Sequence, residues 1–171
     1  GKSTLLRVLS GDEEPASGNV LLNRNQLYPL EKRSINQPIP IMLDAKPDCF
    51  NDKLTVLQRI EEVTSSDLGA GVRRTIAIEF ANLLSLSEDE INANPSSLSP
   101  SAQYVFGIAC ACVQSTADAV YVRDDGDIEL PCPILLLDEL IDFETSIVAN
   151  RIGKSLKELS RAGAVIITAT H

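Results

Sequence analysis

The stretch "PILLLDE" at residues 133–139 is followed by "TSIVANRIGKSLKELSRAG" and then by "AVIITATH". The first run is apolar throughout and ends in two acids. Continuous rather than alternating apolarity suits a central parallel strand covered on both faces. The middle stretch places its apolar residues at helical spacing and ends at Gly163. The third run reads as the next buried strand. Strand, helix, strand is a βαβ unit with an expected right-handed crossover. The spacing therefore predicts an α/β chain with a mainly parallel sheet flanked by helices.

The rest of the chain divides around that unit. "GKSTLLRVLSG" reads as a short helix from Lys2 to about Ser10 closed by Gly11. "NVLLN" is a brief strand, and "PIPIMLD" another. Pro38 and Pro40 confine the latter to an edge or to its first residues. Residues 54 to 112 hold "LTVLQRIEEVTS", "AGVRRTIAIEFANLLSLS" and "SPSAQYVFGIACACV", all at helical spacing. They predict an inserted helical subdomain, with "EDEINANPSS" as a polar connector inside it. "AVYVRDDGDIEL", residues 119 to 130, reads as a hairpin turning at Asp125–Gly126.

Composition narrows the partners. The 171 residues suffice for one domain with a real core. The formal charge is −9, so no nucleic acid or anionic lipid surface is expected as the main partner. A single nucleotide is compatible, because a local site can be positive in an acidic chain. No apolar run approaches the roughly 20 residues of a membrane helix. Cys49, Cys110, Cys112 and Cys132 form no C-x-x-C pair and read as small buried apolar residues in a reducing compartment.

Three features carry chemistry. Gly1, Lys2, Ser3 and Thr4 match the second half of G-x-x-x-x-G-K-[ST], in which backbone N–H groups wrap phosphates. The lysine of that motif reaches the β and γ groups and the next hydroxyl helps to hold Mg²⁺. Asp138 and Glu139 end an apolar strand, where one acid can hold the metal shell and the other can polarise water. The plainer reading is a core strand meeting solvent. His171 falls just past a parallel strand, where such sheets gather their sites, and its imidazole can donate to a γ-phosphate.

With these residues in place, the chain resembles the ATP-binding cassette (ABC) ATPases over nearly its whole length. "GKSTLLRVLSGDEEPASGNVLLN" is similar to the family's Walker A helix and the turn and strand after it. "FANLLSLSEDEINANPSSLSPSAQYVFGIACACV" resembles the approach to, and passage through, the signature helix. "ILLLDELIDFETSIVANRIGKSLKELSRAGAVIITATH" resembles Walker B through the switch histidine. The resemblance implies a P-loop NTPase fold, truncated at both ends: about 54–112 helical subdomain, about 113–131 hairpin insertion, and 132–171 Walker B to switch histidine. It implies ATP and Mg²⁺ bound by Gly1, Lys2, Ser3, Thr4 and Asp138, with Glu139 acting on water and His171 sensing the γ-phosphate. It also implies a second cassette as partner, homo- or heterodimeric, on the cytoplasmic side of a membrane whose spanning domains lie outside this segment. The isolated segment is expected to be inactive.

Departures from the family pattern accompany the resemblance. The signature L-S-G-G-Q reads here as Leu98, Ser99, Pro100, Ser101, Ala102. Proline has no N–H to offer a partner's ATP. Ser99 either retains a role toward that ATP or simply caps the helix, with Pro100 at its first position. The glutamine that contacts metal and water falls on Gln37, or the alignment places Ala45 there, beside Asp44. The loop after Glu139 puts Thr145 where an aspartate is usual, with Asp142 nearby. Asp124, Asp125 and Asp127 of the hairpin read as a solvated tip. Two readings follow: an ATPase engine, or a nucleotide-gated interaction module with little turnover. A soluble, non-transport ABC-type ATPase remains a variant of the first.

Overall fold

A computed structural model of the chain describes residues 1–22, 25–26, 37–43, 53–138 and 146–169. Helix α1 spans Lys2–Ser10 and is followed by the short strands β1 (Leu21–Leu22) and β2 (Asn25–Gln26), which pair antiparallel. Strand β3 (Pro40–Leu43) precedes helices α2 (Val56–Glu62), α3 (Ala70–Leu83), α4 (Glu88–Asn92) and α5 (Pro100–Thr116). The hairpin β4 (Tyr121–Val122) and β5 (Ile128–Glu129) leads to β6 (Ile134–Asp138), α6 (Ser146–Arg161) and β7 (Val165–Ala169). The described sheet has the order β3-β6-β7, parallel throughout.

Strand β6 sits at the centre because its sequence can be covered on both faces. Leu135 and Leu137 point into the large core with α2, α3, α5 and α6. Leu136 points the other way, into a small cluster with Leu6 of α1 and Ala169 of β7. The alternation follows from the two-residue period of a strand. Pro40 opens β3 at the edge of the described sheet, where its missing N–H breaks no ladder.

Helix α5 is buried on most of its surface, and Ser115 in its last turn fixes the sheet's amino-terminal end. The Ser115 hydroxyl donates to the Ile39 carbonyl at 2.5 Å and accepts from the Ile134 amide at 2.8 Å. The Ile39 amide in turn donates to the Ser115 carbonyl at 2.7 Å. One buried side chain thus sets the register of β3 and β6 against the helix.

Two sequence expectations change here. "EDEINANPSS" is not merely a connector: α4 forms within it, capped by a reciprocal pair of bonds between Ser87 and Glu90. A five-residue helix leaves no periodicity to detect. β7 is not fully buried, since Val165 is 48% and Ile167 39% exposed. Both stand on the α1 face, and α1, only about 13 Å long, covers Ala169 without reaching down the strand. Gly11 and Gly163 do close α1 and α6, with φ of 92° and 98° that favour glycine.

Ser115→Ala leaves a carbonyl and an amide without their buried partner. It is expected to cost about 1–3 kcal/mol of unfolding free energy, read by urea denaturation.

Candidate functional site

Helix α1 opens without a side-chain cap, and its first turn holds no acidic residue. An end of this kind, with its positive dipole, suits an anion. Gly1 supplies the N-cap carbonyl, which accepts from the Leu5 amide at 3.1 Å. Gly1, Lys2 and Thr4 are exposed and Ser3 is half-buried. All four lie within about one and a half turns of Leu6, the residue that anchors the helix beside Leu136 and Ala169.

Asp138 ends β6 and pairs in register with Ala169, the last residue of β7. Its Oδ1 is buried and has no hydrogen-bond partner among the described residues. A carboxylate oxygen in that condition is costly unless a cation or donor meets it. The donor set fits Mg²⁺, a hard cation that takes one or two protein oxygens and leaves the rest of its shell to water and phosphate. Leu6 thus holds α1 level with the strand end from which Asp138 emerges.

Glu139 and His171 lie outside the described residues, as do Asp44, Ala45, Asp142 and Thr145. In sequence Glu139 follows Asp138 directly and His171 follows Ala169 by two positions.

Gln37 lies away from Asp138. It precedes β3, whose first residue, Pro40, pairs with Ile134 at the start of the parallel strand β6. Gln37 therefore sits at the amino-terminal end of the sheet, and Asp138 lies at the opposite end, about 13 Å along β6. The plain loop role that the sequence also allowed is the one this placement supports.

Ser99 is the N-cap of α5, accepting from the Ala102 amide at 3.3 Å, with Pro100 in the first turn. Its hydroxyl also lies 3.3 Å from that of Ser101. From Ser99, α5 runs about 24 Å to the Ser115 clamp, longer than β6. Sequence reasoning did not single out Gln103. It is 8% exposed, its Nε2 donates to the Leu98 carbonyl at 3.2 Å, and its Oε1 is buried without a partner among the described residues. A glutamine in a helix's first turn reads as solvated, so composition gives no signal of this.

Among the described residues, polar contacts from Arg151 and Ser155 join the helical segment to α6, the helix after the acidic strand, beside the apolar packing of Ile152 and Leu159. Arg151 donates through both terminal nitrogens to Glu90 Oε1 and Oε2, each at 2.8 Å. The Ser155 hydroxyl donates to the Leu84 carbonyl at 3.3 Å. The Arg151 guanidinium holds the Glu90 carboxyl below the usual range, against the opposing pull of burial, with Ser87 adding further donors. Arg151 is correspondingly raised. Of the cysteines, Cys110 and Cys112 are buried as expected, and burial pushes the Cys112 thiol up. Cys132 is exposed, contrary to expectation, because it lies on the approach to β6 rather than within it.

A lowered folded-state pKa means that the Glu90–Arg151 stabilisation is present above the unfolded carboxyl value of 4.5. It is lost as pH falls through the folded value below that. Glu90→Gln is expected to cost about 1 kcal/mol at pH 7 and to flatten the fall in stability below pH 4.5, read by denaturant melts at each pH.

Comparison with known proteins places this geometry in context. A family model described as ABC transporter matches residues 1–124. The spermidine/putrescine import ATP-binding protein PotA of Bacillus cereus is 28% identical over 183 residues, which span all of this chain and 46% of PotA. The cell division ATP-binding protein FtsE of Escherichia coli K12 is 25% identical over 180 residues, all of this chain and 70% of FtsE. The chain thus spans about half the length of PotA and rather more of FtsE. Among solved structures, the dimeric ATP-binding cassette MJ0796 in a post-hydrolysis state bound to ADP and Pi superposes with a TM-score of 0.66. It shares 22% identity and covers 100% of this chain and 70% of that one. Its sheet and helices therefore show the same fold.

Proposed function

This chain belongs to the ABC transporter family, and from that premise we propose that it forms the core of a cassette that binds Mg-ATP and couples its hydrolysis to conformational change. The observation that carries the reading is the buried, unpartnered Oδ1 of Asp138 at the sheet's carboxyl-terminal end, beside the helix that Leu6 anchors. In this reading Lys2 neutralises phosphate charge, Gly1 and Thr4 shape the loop, and Ser3 and Asp138 hold Mg²⁺. Bound Mg²⁺ supplies charge neutralisation on the β and γ phosphates. Glu139 takes a proton from the attacking water, and His171 donates a hydrogen bond to the γ-phosphate. The α1 N-terminus adds backbone donors, at no reorganisation cost during the reaction.

A second cassette is the proposed partner, since the MJ0796 structures are dimers. Attachment to membrane components on the cytoplasmic side is part of this proposal, in keeping with a relative named for import. No helix among the described residues is long and apolar enough to cross a membrane.

One observation favours the alternative, a nucleotide-gated module with little turnover. The Ser99 hydroxyl is already engaged as a cap, and Pro100 contributes no N–H. A partner cassette with an intact signature would restore turnover to this site.

Steady-state ATPase of the protein that carries this chain separates the readings. Glu139→Gln is expected to lower kcat roughly 100- to 10,000-fold with ATP binding retained, while Lys2→Ala weakens ATP binding itself. Unchanged kcat in Glu139→Gln removes Glu139 from its role. ATP binding without turnover in the wild type selects the module.

A further inference from the structure

Thr75, Glu79 and Leu83 follow one another at four-residue spacing along α3, so they share one helix face about 12 Å long. Two adjoining cavities open along that face, and Glu79 stands in the wall of both. At the Leu83 end a cavity of about 250 Å³ is walled by Phe80, Leu83, Leu130, Pro131, Cys132 and Leu159. At the Thr75 end a cavity of about 460 Å³ runs beneath the β4–β5 hairpin, with Arg123, Asp127 and Glu129 in its wall.

The two ends differ in chemistry. The first is apolar. The second holds three carboxylates against one guanidinium, and that guanidinium is already paired with Glu129 at 3.0 Å. Glu79 and Asp127 carry the remaining negative charge into the groove. Ile78, Tyr121 and Val122 expose large apolar surface on the two elements that border it. None of this belongs to the nucleotide site, which lies at the end of β6 marked by Asp138.

We propose that this groove docks a short extended segment of a partner protein, in which an apolar side chain is followed two residues later by a lysine or arginine. Glu79 and Leu83 are about 6 Å apart along the helix, close to the 6.6 Å between alternate residues of an extended chain. The apolar side chain fills the cavity at Leu83, and the cation meets Glu79 and Asp127. A second copy of this chain is a poor occupant, because a net charge of −9 opposes approach to an acidic groove.

The test uses the protein that carries this chain and a fluorescent serine-based hexapeptide with leucine at its second position and lysine at its fourth, with the same peptide carrying glutamate in place of lysine as control. Binding is read by anisotropy, and occupancy of the apolar end by the alkylation rate of Cys132, located by mass spectrometry. Cys132 is exposed and walls that cavity, whereas Cys110 and Cys112 are buried. The leucine–lysine peptide is expected to bind saturably and to slow Cys132 alkylation about fivefold or more. Glu79→Lys, a substitution on an exposed helix position, is expected to weaken binding about tenfold or more with the melting temperature unchanged. Absence of saturable binding, equal binding of the glutamate peptide, or undiminished binding by Glu79→Lys each overturns the proposal. So does Cys132 protection that rises with protein concentration alone, which would make a second copy the occupant.

Discussion

Burial of β6 on both faces is the constraint from which the other elements take their places. Four consecutive apolar residues, Ile134 to Leu137, cannot face water on either side. Leu135 and Leu137 demand the α5 and α6 layer, and Leu136 demands α1. The parallel neighbours β3 and β7 follow because a central strand must satisfy both of its edges. The run then stops at Asp138, whose charge marks where the strand leaves the core. The feature that organises packing therefore also delivers a carboxylate to the carboxyl-terminal end of the sheet.

The helical segment is joined to this frame in a way that gives it a defined position. Helix α5 is shared: its middle fills the main core while Ser115 is bonded to the starts of β3 and β6. The Glu90–Arg151 pair and the Ser155 bond to Leu84 tie α4 and the end of α3 to α6. These contacts join α6 to the helical segment in which Ser99 lies. Such a connection is what a device that converts nucleotide state into shape requires.

Several of these features were legible in the sequence. The α1 boundaries followed from the helical spacing before Gly11, the α5 start from Ser99–Pro100, and the hairpin from Asp125–Gly126. Each rests on local backbone chemistry. Others depended on tertiary contacts that no window of sequence contains. α4 is held by one capping box and an arginine 61 residues away. Ser115 looks like any helix serine until its partners at Ile39 and Ile134 are known. Gln37 fitted a family position by its neighbouring proline, yet the parallel register sends it to the far end of the sheet. Val165 and Ile167 read as core by composition, but burial depends on how far α1 reaches. For the proposed site, the sequence singled out Lys2, Ser3 and Asp138 as candidates, while the uncompensated state of the Asp138 oxygen is a property of packing alone.

That uncompensated oxygen is the point on which the account turns, and thermal melting of the protein carrying this chain addresses it directly. The quantity is the rise in Tm with ATP plus Mg²⁺, minus the rise with ATP plus chelator, in wild type and in Asp138→Asn. A cation site at Asp138 predicts a clear Mg²⁺-dependent rise in the wild type that vanishes in Asp138→Asn, with the unliganded variant at least as stable as the wild type. An equal Mg²⁺-dependent rise in both proteins would contradict it.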